Sequence, residues 1–304
     1  VMGRVGVPQM FLARYALGRR PATVIAFVNF VSTMGWVAAN AVLVAIAATR
    51  VLDTFGVARS AASELLVLGA ITLPTLYLSV GSFDTVRRAM RWLVPPLLVA
   101  LLPLSVFALA DVRWDIAPTG RAAGGPFAYA TMWLTVAGVV AIGQVATWST
   151  SAADIARFHR FEGPAAGRRV FLVVVGTCLV VNVGLQMLGA AFATVAPGLD
   201  PAVEMARRHP LLALDALVLM VLGLVTTNFM NIISGSLSAK AVWRSGSRLA
   251  WTSAIAVLGT QMAAYSLLVT DVVSVFHTFL VVLLVWETPW LGVMLTDYFL
   301  VRRG

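Results

Sequence analysis

The strongest constraint on this chain is a series of long apolar runs that carry almost no charge. Residues 21–49 contain no Asp, Glu, Lys or Arg, and neither do residues 216–239. Both runs exceed the roughly 20 residues that a helix needs to cross a bilayer. The 304 residues are 12% charged, whereas soluble domains carry about 25% charged residues. The sequence therefore predicts an all-α integral membrane protein, and it lacks the short alternating segments of a membrane barrel.

Eight such segments follow one another without a linker long enough to separate domains, so we expect one transmembrane domain over residues 1–304. Most of the 22 Lys and Arg residues fall in loops on one side of this arrangement. By the positive-inside rule we expect a multi-pass protein of the inner or plasma membrane with both ends cytoplasmic. The net charge of +9 then reflects loops facing anionic lipid and not a nucleic-acid surface. The predicted spans are 22–49, 65–83, 92–110, 127–153, 170–195, 211–239, 249–270 and 272–300.

Polar side chains in the middle of these spans need partners, because hydrocarbon offers none. In the sixth span, Thr226, Thr227, Asn228 and Asn231 interrupt an apolar run. Two interpretations are open: hydrogen bonds between helices, which membrane bundles use routinely, or the wall of a ligand site.

The first span carries a similar polar stripe, with Asn29, Thr33, Trp36 and Asn40 at helical spacing. An indole one turn from an amide offers a flat stacking surface beside a hydrogen-bonding pair. This combination suits a planar, hydrogen-bonding ring, although a tryptophan packed between helices with an asparagine holding them together is the simpler alternative.

The fourth span carries Gln144, Trp148 and Ser151 on one face. Its Ser/Thr-rich end favours a locally broken helix, and broken helices in transporters line cavities. The alternative is an intact Ser/Thr-rich helix end that approaches the cytoplasm.

Three charged residues near or within spans are candidates for a functional or structural role. Asp154 and Arg157 are expected to form a surface ion pair of small energetic value at the end of the fourth span, with a gate role as the alternative. Glu287 lies in the middle of the eighth span, where an ionised carboxylate costs about 2.5–3.5 kcal/mol. It is a candidate for proton coupling, or a structural partner of another helix. We expect no enzyme activity and no metal site beyond possible Na⁺, since no zinc-protease, nucleophile-elbow or Walker motif occurs.

Five segments in order resemble the nucleobase:cation symporter-1 family, and within it the cytosine/purine permease branch. The similarity extends over nearly the whole chain, and each motif taken alone is weak. The segments are Gly6–Gly18, Gly35–Asn40 with its Gly-Trp and final Asn, Trp148–Phe158, Asn228–Gly235 with two asparagines, and Pro289–Phe299.

The resemblance implies two inverted five-helix repeats plus two further helices. The eight spans would then be helices three to ten, with the first two apparently missing, so that the chain is a partial transporter. It also implies substrate contacts from Trp36, Asn40, Trp148 and Asn228, with Gln144 and Asn231 as further candidates. Where sodium is the coupling ion, Thr226 and Thr227 would help to bind it.

The resulting hypothesis is a symporter that imports a nucleobase such as cytosine or a purine with H⁺ or Na⁺, without another cofactor. The side chains should converge on one wet pocket, and Trp36, Trp148 and Asn228 are the critical three. Two alternatives stay open. One is a carrier of allantoin, hydantoin, another small heterocycle, a vitamin or an amino acid on the same fold; the other is a non-transporting membrane fragment.

Overall fold

The computed structural model of the chain is all-helical in the residues that it describes. These are residues 6–81, 83–110, 112, 127–128, 130–131, 134, 147–156, 164–195, 210–243, 245–269 and 272–302. Seven of their helices are long and apolar enough to cross a membrane, and these ranges contain no strand. The predicted fold class, an all-α membrane protein, is therefore confirmed.

The helices are numbered here in chain order. They are α1 (Gln9–Leu17), α2 (Arg19–Thr54), α3 (Ala61–Val80), α4 (Phe83–Ala110), α5 (Thr147–Ser149), α6 (Ala152–Ala156), α7 (Pro164–Val195), α8 (Pro210–Val242), α9 (Arg248–Val269) and α10 (Val272–Thr296), and a π-helical turn (Asp297–Val301) follows.

Seven of the predicted spans overlap long helices, namely α2 to α4 and α7 to α10. Several helices extend past the predicted ends, as α2 does at both of its ends, because a helix can continue beyond the apolar core while charged side chains reach the interface. The predicted fourth span, 127–153, lies mostly outside the described residues.

Helix α2 is central and packs against α1, α3, α8 and α9. Its Phe30, Met34 and Val37 share one buried apolar cluster with Ile232 of α8 and Ile255 of α9. Since α2 and α8 also carry the two polar stripes, the same packing that forms the core brings those stripes face to face.

Small residues allow α2, α8 and α9 to approach one another closely, as is usual in membrane bundles. A Cβ atom added at Gly235 of α8 would lie 2.9 Å from Ile255 Cδ1 and 3.1 Å from Thr33 Cβ. One added at Gly259 of α9 would lie 2.7 Å from Val37 Cγ1. The core around α2 therefore has no room for a larger side chain at Gly235 or Gly259.

The short helix α1 is fixed to the bundle by two hydrogen bonds, one to the end of α8 and one from Arg302 near the end of the described chain. The Nη2 of Arg14 donates a 2.8 Å hydrogen bond to the carbonyl of Ala241 at the end of α8. The Nη2 of Arg302 donates to the carbonyl of Tyr15. Gly18, with a φ of 78° that disfavours side chains, turns the chain from α1 into α2.

Candidate functional site: a polar cavity between α2, α8 and α10

A cavity of about 530 Å³ lies between α2, α8 and α10 and is bordered by α5 and the turn after it. Small-molecule sites usually measure about 300–1,000 Å³, so the space suits a small ligand. The lining residues are Asn29, Ser32, Thr33, Trp36 and Asn40 of α2; Thr147, Trp148, Thr150 and Ser151 of α5 and the following turn; Gln186 of α7; Thr227 and Asn231 of α8; and Phe276, Leu280, Leu284 and Glu287 of α10.

The indole of Trp36 forms part of the cavity wall and is held in place by α10. Phe279 and Phe276 meet it edge to face, at centroid distances of 5.4 and 6.3 Å and interplanar angles of 78° and 75°. Such T-shaped contacts are the preferred geometry for aromatic pairs. The ring is thus positioned before any ligand arrives, which lowers the entropy lost on binding.

The amides of the two polar stripes are connected across the helices. Asn40 Nδ2 donates to Asn228 Oδ1 at 3.0 Å, and Asn228 Nδ2 donates to the backbone carbonyl of Val37 at 3.0 Å. Asn228 is only 3% exposed and is not among the lining residues. Of the predicted convergent set, Trp36, Asn40, Trp148 and Asn231 line the one cavity, while Asn228 lies behind Asn40 and orients it.

The two adjacent threonines of α8 face different directions, because neighbouring helical residues are about 100° apart. Thr227 lines the cavity. Thr226 instead donates its hydroxyl to the carbonyl of Gly223, one turn earlier, at 2.7 Å. Their hydroxyls do not converge on one point of the cavity wall.

Within residues 147–156, which the structure describes, the helix is interrupted. Helix α5 ends at Ser149, Thr150 and Ser151 form a turn, and α6 begins at Ala152. Backbone N–H groups in this region reach carbonyls three residues back, as in Thr150 to Thr147 at 3.2 Å. The interruption falls where a broken helix is predicted, and it exposes Trp148 to the cavity. Gln144, the other candidate of this span, lies outside the described residues.

The carboxylate of Glu287 is part of the cavity wall, although the residue is only 1% exposed. Thr147 Oγ1 donates to its Oε2 at 2.9 Å. This contact joins the middle of α10 to Thr147 of α5. Among the described lining residues, Glu287 is the only one with an ionisable side chain.

Asp154 is buried, with 4% exposure, so its predicted surface position is wrong. Its Oδ1 accepts from the backbone N–H of Gln9 at 2.9 Å, and its Oδ2 accepts from Ser234 Oγ at 2.7 Å. Ser151 Oγ donates to Ser234 Oγ at 2.9 Å. Asp154 therefore holds α1 and α8 together. Arg157, its predicted ion-pair partner, lies outside the described residues.

Sequence reasoning did not single out Gln9 or Gln186. The side chain of Gln9 adds a second hydrogen bond between α1 and the segment that contains Asp154, since its Oε1 accepts from the backbone N–H of Ala153 at 3.0 Å. The sequence around residue 9 does not predict this pairing, because the partners of Gln9 lie 144 and 145 residues away. Gln186 carried a usable signal: it is an amide within the apolar run 170–195.

Comparison with known proteins gives the chain its family. A family model described as a permease for cytosine/purines, uracil, thiamine and allantoin matches residues 2–304. No match was found among curated proteins. The matched range includes every helix described above and the whole cavity wall. The chain therefore belongs to this family of membrane permeases.

Proposed function

We propose that the protein is a symporter that imports a nucleobase, such as cytosine or a purine, together with a cation. The observation that carries this proposal is the cavity wall, which combines two indoles, from Trp36 and Trp148, with amides. Among the described lining residues there is no Lys, Arg or His. Neutral planar rings call for stacking surfaces and hydrogen-bonding amides, whereas a carboxylate substrate calls for a buried cation.

In this mechanism the ring stacks on an indole while the amides of Asn40 and Asn231 bind its polar edge. Helices α2 and α8, joined through the Asn40–Asn228–Val37 hydrogen bonds, act as the scaffold. The interrupted segment α5–α6 is the element that moves to open the cavity to each side in turn. Discontinuous helices recur in transporters beside the substrate cavity, where one bundle of helices rocks against the other.

Coupling to H⁺ through Glu287 fits the position of its carboxylate in the cavity wall. Coupling to Na⁺ through the hydroxyls of Thr226 and Thr227 is the second candidate. The hydrogen bond from Thr226 to Gly223 directs that hydroxyl to its own helix. Glu287 is therefore the preferred coupling group in this proposal.

We place both ends of the chain on the cytoplasmic side of the inner or plasma membrane, because most Lys and Arg residues fall in the loops on that side.

The test is uptake of labelled cytosine, adenine, hypoxanthine and allantoin by cells that express the full open reading frame containing this chain. We expect saturable uptake of cytosine or a purine that a protonophore abolishes and that persists without sodium. Sodium dependence with resistance to the protonophore would transfer the coupling role to Thr226 and Thr227. Absence of uptake of any of the nucleobases would contradict the proposal. Uptake of allantoin alone would change the substrate from a nucleobase to allantoin or a related heterocycle.

A further inference from the structure

Glu287 has an unused hydrogen-bond acceptor in the cavity wall. Its Oε2 accepts from Thr147 at 2.9 Å, while Oε1 accepts no hydrogen bond within the described part of the chain. When a ligand fills the cavity and displaces its water, a carboxylate oxygen that is left without a hydrogen bond is costly. A ligand that supplies an N–H at this point would remove that cost, so the gain on binding depends on the ligand's donor.

The amide of Asn40 is oriented so that it offers a second acceptor. The carbonyl of Val37 can only accept, which fixes the amino group of Asn228 toward Val37 and its Oδ1 toward Asn40. Asn40 must then direct its own amino group to Asn228. Its carbonyl oxygen takes no part in these hydrogen bonds and accepts none from the residues that the structure describes. The wall thus offers two acceptors, Glu287 Oε1 and Asn40 Oδ1, to a ligand that brings donors, and one unpaired donor, Trp36 Nε1, to a ligand that also brings an acceptor.

Building on the transport function proposed above, we propose that Glu287 binds an exocyclic amino group of the substrate and makes the cavity selective for amino-substituted rings over their oxo-substituted counterparts. The carboxyl group retains an oxygen that can accept from an amino N–H in either protonation state. An oxo group at the same position can pair only with the protonated form. Amino rings are therefore accepted throughout a transport cycle that includes proton binding, and oxo rings only in part of it.

Two pairs of substrates test the proposal. Cytosine and uracil, like adenine and hypoxanthine, differ by an amino against an oxo group, and the adjacent ring nitrogen accepts in the amino ring and donates in the oxo ring. A site built to hydrogen-bond one group rejects its mismatched analogue by large factors, and we expect the protein to prefer the amino ring at least about tenfold in each pair. The readout is the ratio of kcat/KM values for uptake, so that expression level cancels.

The matched variants are Glu287→Gln and Glu64→Gln. The Glu287→Gln side chain offers both a donor and an acceptor, so it can pair with an amino or an oxo group. The ratio of kcat/KM values between amino and oxo rings should therefore fall to within about threefold. Glu64 is also a buried glutamate of a membrane helix, but it pairs with Arg59 at 2.8 Å and does not line the cavity. The Glu64→Gln variant should keep the wild-type preference.

A ligand-side measurement keeps the test independent of whether the variants fold. Purine and 2-pyrimidinone are adenine and cytosine without the amino group, and each should compete with its parent at least about tenfold less well in the wild-type protein. Equal competition by these rings, or a preference that survives in Glu287→Gln, would overturn the role of Glu287 while leaving nucleobase transport intact. If the wild-type protein takes up neither member of either pair, the proposed function fails and this inference fails with it.

Discussion

The backbone N–H of Gln9 donates a 2.9 Å hydrogen bond to the Oδ1 of Asp154, 145 residues further along the chain. Gln9 is the first residue of α1, so Asp154 satisfies one of the N–H groups that a helix start leaves unpaired. The negative charge also suits the positive end of the helix dipole. A carboxylate next to the broken segment therefore fixes the position of the helix that precedes α2.

Replacing Asp154 by alanine should destabilise the protein. The change leaves the buried N–H of Gln9 and hydroxyl of Ser234 without their acceptor, and hydrogen bonds to charged groups contribute about 1.5–3 kcal/mol each. We expect a lower melting temperature of the purified protein in detergent. Asp154→Asn, which keeps one acceptor oxygen, should lose distinctly less. An Asp154→Ala variant as stable as the wild type would show that these hydrogen bonds do not hold α1 to the bundle.

The two asparagines of α8 should respond differently to replacement by alanine. Asn231 lines the cavity, so Asn231→Ala should raise the KM for uptake with little effect on stability. Asn228 joins Asn40 to Val37, so Asn228→Ala takes the partner from the Asn40 amino group and removes the second hydrogen bond to the Val37 carbonyl, which should cost about 1–3 kcal/mol of stability. Melting temperatures and uptake kinetics measured on both variants separate the two roles, and an inverted pattern would contradict the assignment.

Removal of the indole of Trp36 should weaken substrate binding. Stacking of a base on an aromatic side chain contributes about 1–3 kcal/mol, which corresponds to a loss of affinity of roughly 5- to 150-fold. The control is Trp251→Ala, since Trp251 stacks on Trp243 at 4.9 Å outside the cavity and should affect stability alone. Equilibrium binding of labelled nucleobase to membranes measures the affinity of both variants. Equal affinities in the two variants would exclude Trp36 as the stacking surface.

Gly235→Ala should destabilise the contact between α2, α8 and α9. The added methyl group would lie 2.9 Å from Ile255 Cδ1, and overpacking of this kind typically costs about 1–3 kcal/mol. Gly223 lies on the same helix with no atom within 4 Å of the corresponding position. Gly223→Ala should therefore be neutral or slightly stabilising, since alanine has the higher helix propensity. The comparison of their melting temperatures checks the packing directly, and a neutral Gly235→Ala would contradict it.

Much of the fold follows from local features of the sequence. Charge-free runs such as residues 21–49 are long enough to cross a bilayer, and a backbone in hydrocarbon must satisfy its own hydrogen bonds, so helices result whatever their neighbours are. The polar stripe from Asn29 to Asn40 on α2 is likewise visible as a helical repeat. Its ligand-facing character could be predicted for Trp36 and Asn40, because an amide and an indole at bilayer depth require polar surroundings.

Tertiary structure decided which polar groups share a space. Asn228 and Asn231 are both asparagines of one helix, yet one lines the cavity and the other lies behind Asn40, because the rotation of α8 against α2 sets their directions. Asp154 is predicted at the surface from its local sequence, but α1 and Ser234 enclose it. Helical repeats define the faces of each helix, whereas the neighbour that each face meets depends on contacts between residues far apart in the chain, and these form only when the whole bundle packs.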